Sequence, residues 1–202
     1  MIYDVTLPMS PGMVGWPGDP GVECERFGDH VKISRWGMGS HAGTHVDAPA
    51  HFSVSPTTVD ELDPHVLIGP CKVIYLPEVA EITVDTLADH HLIGVERVLF
   101  RTRNSAHWAS GVTEFDPDFV SLAFDTAVLL SGLGVKLIGV DGLSIEKYGG
   151  TGEVHELLLS SGIVLLEGLN LHNIPPGNYR LITAPLRLQG ADGAPARVFL
   201  EG

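Results

Sequence analysis

Cysteine is nearly absent: Cys24 and Cys71 are the only two in 202 residues. That excludes a disulfide framework and makes free thiols in a reducing compartment the expectation. Positive charge is scarce as well. Twelve Lys and Arg stand against 25 Asp and Glu, for a net charge of −13. A chain this acidic is repelled by phosphate backbones and anionic lipid, so neither nucleic acid nor a membrane is an expected partner. No apolar run reaches the roughly 20 residues a membrane helix requires. The opening residues lack a charged-then-apolar signal pattern, because Asp4 and Pro8 interrupt them early. A cytoplasmic protein is expected. Repeats, low-complexity tracts and linkers are also missing, so residues 1–202 are expected to form one domain.

What the chain does have is core material, 44% of it hydrophobic. Strand-like stretches are read at 2–6, 71–76, 97–102, 135–140, 163–167, 179–184 and 196–200, and an extended run at 31–39. Helices are expected at 84–90 with Thr83 as N-cap, and at 121–133 between Ser121 and Gly134. A third, short helix over 152–159 is stopped by Gly162. The stretch 12–21, with Pro17 and Pro20, and the polar stretch 53–65 from Ser53 read as loops. Alternating strands and helices indicate an α/β domain with a mixed sheet.

The most informative segment places His41, His45, Asp47 and His51 at offsets of 0, 4, 6 and 10. Even offsets share one face of an extended chain. Gly43, Pro49 and the β-branched Thr44 and Val46 argue against a helix. Imidazoles beside a carboxylate suit a borderline divalent ion such as zinc or manganese. Without an ion, several of these polar groups would be poorly satisfied.

Glu167 marks a second constellation. It closes an apolar strand-like run, Ile163 through Leu166, where a buried carboxylate is costly unless paired or ion-bound. His155, one helix and one turn earlier, can approach it. The plainer alternative is a Glu167 side chain emerging at the surface. Together the two constellations suggest two adjacent metal positions bridged by Asp47.

The His-x-Gly-Thr-His-x-Asp-x-Pro-x-His pattern from His41 to His51 resembles the signature of the cyclase-type metal-dependent hydrolases, a family that includes bacterial kynurenine formamidase and isatin hydrolase. The likeness extends to Asp4-Val5-Thr6, Trp16-Pro17-Gly18-Asp19, Leu137-Ile138-Gly139-Val140-Asp141 and Ala194-Pro195-Ala196-Arg197. It departs from the formamidases at Gly142-Leu143-Ser144, where a Pro-Ser turn is expected, and at Val154, where a histidine often stands. The resemblance implies a swivelling β/β/α fold, a homodimer or larger assembly, and one or two ions per chain, Zn²⁺ or else Mn²⁺. By similarity His41, His45 and Asp47 hold one ion, and Asp47, His155 and Glu167 hold a second. His51 serves as proton shuttle. The implied reaction is hydrolysis of N-formylkynurenine to kynurenine and formate, a step of tryptophan catabolism. A cyclic amide or lactone hydrolase, as in isatin hydrolase, and a metal-stabilised binding protein without turnover both stay open.

The remaining readings concern the rim. Thr44 is expected to position a ligand or a water through its hydroxyl, or else to be a simple turn residue. Trp16, Phe52 and Trp108 are candidates for an aromatic substrate pocket, or for core. His30, His65, His90, His91, His107 and His172 are read as surface or loop residues.

Overall fold

The computed structural model describes residues 1–52, 55–112 and 114–202. Its strands are β1 (Ile2–Asp4), β2 (Glu23–Phe27), β3 (Ile33–Gly37), β4 (His45–Asp47), β5 (Ile68–Tyr75) and β6 (Glu81–Ile82). They continue as β7 (Arg97–Arg101), β8 (Ser121–Leu122), β9 (Leu137–Val140), β10 (Val164–Glu167), β11 (Gly177–Pro185) and β12 (Gly193–Glu201). The helices are α1 (Pro64–Leu67), α2 (Asn104–Ser110), α3 (Phe124–Gly132) and α4 (Glu153–Ser160).

Strands that read as unbroken apolar runs are buried on both faces. Along β7, Val98 and Phe100 face one hydrophobic cluster and Leu99 the other. The same alternation divides Ile138 from Leu137, and Leu165 from Leu166. One cluster lies under α3 and α4, with Ala127, Leu130, Leu158 and Leu159. The other joins β11, β12 and the chain's opening strand region, with Leu181, Val198, Leu200 and Val5. Each fully buried side chain of this size stabilises by about 1.5–3 kcal/mol.

The main sheet runs β1-β12-β11-β5-β7-β9-β10-β4. β5, β7, β9 and β10 are mutually parallel neighbours; β1, β4, β11 and β12 pair antiparallel. β4 also pairs with the start of β12, which closes the mixed sheet into a barrel. Closure makes the three-residue β4 a strand with partners on both sides, and all three of its residues are buried.

Three local expectations are corrected. The helix expected at 84–90 is only a three-residue 3₁₀ turn, Asp85–Leu87. There Thr83 and Thr86 satisfy each other's polar groups locally, the competition that makes threonine a poor helix nucleus. Ser121 does not cap a helix. With the buried Leu122 it forms β8, paired parallel to β6, and α3 begins at Phe124. The loop expected at 53–65 starts outside the described residues. Later it holds a 3₁₀ turn, Val59–Glu61, and the start of α1, capped by Asp63 through the His65 amide at 2.9 Å. α2 was not anticipated. β2 and β3 form a separate hairpin on which Val31, Ile33 and Trp36 are exposed. Among the described residues no helix is long and apolar enough to cross a membrane.

Candidate metal centre

β-Register assembles the centre. In the antiparallel pairing of β4 with β10, Glu167 lies directly opposite His45, and Asp47 is two residues further along β4 on the same face. His45 Nε2 consequently lies 3.3 Å from both Asp47 Oδ1 and Glu167 Oε2. All three side chains are buried. α4 carries His155 into the same pocket, its Nε2 3.4 Å from Glu167 Oε1.

His41 and His51 arrive by other means. Only 45–47 is strand; His41 sits in the preceding turn and His51 in a 3₁₀ turn, Pro49–Phe52. The even-offset argument therefore holds for His45 and Asp47 and fails for the flanking pair, whose convergence depends on these turns. His41 Nδ1 lies 2.8 Å from Asp47 Oδ1, and the His41 and His51 rings are 3.9 Å apart between centroids. Among the described residues three groupings thereby bring ligand atoms within mutual reach of one ion: His41 with His45 and Asp47, Asp47 with His155 and Glu167, and, nearer the solvent, His41 with His51 and Asp192. The residues could hold a metal ion.

The donor chemistry fits one. Asp47 Oδ2 is buried and has no hydrogen-bond partner among the described residues. A second buried carboxylate, Glu167, shares the pocket, and two buried carboxylates demand compensating positive charge. The imidazoles supply it as protons when nothing else does. Burial pulls His45 down, but its hydrogen bonds and charge attraction to Asp47 and Glu167 outweigh that and raise it to about 10. Burial likewise opposes His155, and Glu146 and Glu167 raise it to about 10. Burial pushes Asp47 and Glu167 up, and the neighbouring imidazoles overcome it, holding both below the ordinary carboxylate range. His51 goes the opposite way: burial lowers it, so it is a neutral imidazole at neutral pH.

An open cavity of about 560 Å³ exposes this cluster to solvent, within the range of small-molecule sites. Trp16, Phe52, Leu143 and Ser144 line it beside the histidines. Trp16 packs edge-on against Phe115 and Tyr148, each at 5.5 Å. Phe52 stacks flat on His155 at 4.5 Å. Trp108 is elsewhere: its Nε1 donates to Asp141 O at 2.7 Å, and it does not line the cavity. None of the six remaining histidines lines it either.

Residues 3–147 match the family model named Cyclase. The chain belongs to the cyclase family. It is 38% identical to the kynurenine formamidase of Bacillus cytotoxicus over 206 residues, covering 98% of this chain and 96% of that protein. Against the kynurenine formamidase of Bacillus cereus the identity is 36%, over 98% of this chain and 96% of the relative. A solved structure from Bacillus stearothermophilus, described as a predicted metal-dependent hydrolase, superposes with a TM-score of 0.87 at 35% identity, covering 99% of this chain and 97% of that one. Isatin hydrolase A from Ralstonia solanacearum has the same fold, with a TM-score of 0.84 at 24% identity over 99% of this chain and 91% of that one.

Two carboxylates at the site escaped sequence reasoning. Glu146 is buried and accepts from His155 Nδ1 at 3.1 Å and from the Gly152 amide at 2.7 Å, so it orients the imidazole and ties down the start of α4. Asp192 lies 2.9 Å from His41 Nε2. Neither stands in a recognisable metal motif. The Thr44 hydroxyl is taken up by backbone groups: it donates to Gly168 O at 2.5 Å and accepts from the Leu7 amide at 2.9 Å. Gly168, at φ +67, brings its backbone so near Gly43 that a Cβ would lie 2.3 Å from the Gly43 carbonyl oxygen. Thr44 thus fastens the His45 strand to the end of the Glu167 strand.

The raised histidines have a consequence for stability in protein stripped of metal by chelation. Their ordinary value is 6.5 and their folded value about 10. The stabilisation they contribute is complete below the lower value and disappears as pH rises through the higher one. Urea unfolding of the stripped protein should therefore show stability falling across that interval. Stability that is flat or rising there contradicts the charge pairing described.

Proposed function

We propose that this chain is a metal-dependent hydrolase that cleaves the formamide C–N bond of N-formylkynurenine, releasing kynurenine and formate. The observation that carries the reading is the convergence of His41, His45, His155 and Glu167 at the wall of one solvent-open cavity, with Asp47 buried against them. Full-length similarity to two kynurenine formamidases supports the substrate. The cyclic-amide alternative rests on relatives at lower identity and is not favoured.

His41, His45 and Asp47 hold one ion in this reading, and Asp47, His155 and Glu167 a second, with Asp47 as the bridge. Zn²⁺ is the ion proposed, and Mn²⁺ is the alternative compatible with the carboxylates. A divalent cation bound there would supply Lewis acidity toward a carbonyl and a water with a pKa of about 7.

The chain's own residues do the rest. His51 is less buried than the proposed ligands, with a side chain 29% exposed, and faces the cavity beside them. It accepts a proton from the attacking water and returns it to the aryl nitrogen as the C–N bond breaks, a role worth roughly 10²–10⁴-fold. The former formyl carbon departs as formate. Trp16 and Phe52 form the apolar wall on which the aryl ring packs. Phe52 also holds His155 in place by stacking.

The assembly is proposed to be a homodimer in the cytoplasm. A two-stranded hairpin is marginal in water by itself. The β2–β3 hairpin nonetheless exposes Ile33 at 63% and Val31 at 74%, apolar surface that a second copy would cover.

Replacing His51 with Ala should leave metal content unchanged and cut turnover at least ~100-fold. Undiminished turnover removes His51 from the mechanism. Asp47→Ala should instead lose bound metal, by elemental analysis; full occupancy refutes the bridge. Sedimentation equilibrium at micromolar concentration should give twice the chain mass, and a monomer there rules out the dimer.

A further inference from the structure

The start of β12 is shaped around His41. Gly193 pairs with Asp47 across β4, and a Cβ there would lie 2.7 Å from His41 Cε1 and 2.8 Å from Val46 O. Its φ is not in the left-handed region, so space rather than backbone conformation is what glycine provides. The residue before it delivers a carboxylate to the same ring. Asp192 Oδ2 is 2.9 Å from His41 Nε2 and 3.5 Å from His51 Nδ1. The Asp192 carbonyl accepts the Ala48 amide at 2.9 Å, which fixes the backbone of the dipeptide to the far end of β4.

We propose that Asp192 is a positioning residue for two imidazoles at once, orienting His41 to bind an ion and His51 to transfer a proton. An imidazole whose outer nitrogen donates to a carboxylate has a fixed tautomer and a fixed ring plane, and its other nitrogen becomes the better base or ligand. For His41 the outer nitrogen is Nε2, and Nδ1 faces Asp47. For His51 the nitrogen that faces Asp192 is Nδ1, at 3.5 Å and outside hydrogen-bond geometry; a proton held on Nδ1 by the Asp192 charge leaves Nε2 as the basic atom. Because one oxygen serves both rings, a change at Asp192 disturbs both functions together.

Asp192 lies outside the two ion positions proposed above, in the third grouping with His41 and His51, and its side chain is 45% exposed. Simple loss of packing at such a position is a small effect. The part of the assignment concerning proton transfer rests on the hydrolase reading above; the orientation of the rings does not.

The test uses the full chain loaded with Zn²⁺, comparing wild type with Asp192→Ala and the near-isosteric Asp192→Asn, which keeps the fold if alanine does not. Nitrogen-15 NMR of the histidines above neutral pH should show His51 as a single Nδ1-protonated tautomer in the wild type and a mixture in Asp192→Ala. Chelator competition should find Zn²⁺ held about 10–100-fold more weakly in that variant. With N-formylkynurenine, kcat should fall at least ~10-fold while KM moves less than ~2-fold.

An unchanged His51 tautomer together with unchanged Zn²⁺ affinity overturns the proposal, whatever happens to kcat. A rise in KM alone also overturns it, because that places Asp192 in contact with substrate. The NMR and affinity readouts need no substrate, so they stand if the protein proves inactive on every formamide. Failure to bind Zn²⁺ at all sinks the metal reading, while the tautomer still reports on Asp192.

Discussion

The antiparallel register between β4 and β10 is the constraint on which the rest depends. It sets Glu167 opposite His45 and puts Asp47 on the same face, so two buried carboxylates and an imidazole are forced together. A slip of one residue would turn both side chains of β4 to the other face of the sheet. β4 is only three residues long, and a strand so short does not hold a register by itself. Barrel closure holds it: β12 pairs along its other side, and Thr44 fastens its entrance to Gly168 just beyond β10. The adjacent buried carboxylates thus sit where the backbone is held by partners on both sides.

Around that core the imidazoles divide by environment. His45 and His155 are buried between carboxylates and hold protons tightly unless something else supplies the charge. His51, at the cavity's edge, is pushed the other way by burial and is left neutral. Each is also set by a neighbour behind it. His155 is backed by Glu146, His41 by Asp192, and His45 Nδ1 lies 3.0 Å from the Gly43 carbonyl oxygen. Carboxylate or carbonyl backing of an imidazole's outer nitrogen is the usual arrangement behind metal-ligating histidines.

Much of this was legible in the sequence because it is local. The spacing from His45 to Asp47 encodes a shared strand face, and Glu167 stands out as a carboxylate ending an apolar strand. β7, β9 and β10 were readable because burial on both faces leaves continuous apolar runs. The rest was not legible because it depends on the third dimension. Asp192 and Glu146 carry no spacing signal; they matter through pairing across the barrel and through the entry to α4. Thr44 sits inside the motif, yet its hydroxyl is consumed by two backbone groups distant in sequence. β8 looked helical because Ser121 resembles an N-cap, and only its pairing with β6 makes it a strand.

The most direct test is anomalous diffraction from crystals of the Zn²⁺-loaded protein. The account predicts zinc in the cavity, roughly 2.0–2.2 Å from a nitrogen of His45 and a carboxylate oxygen of Asp47. No peak in the cavity, with Asp47 and Glu167 paired only to protonated imidazoles, would contradict it.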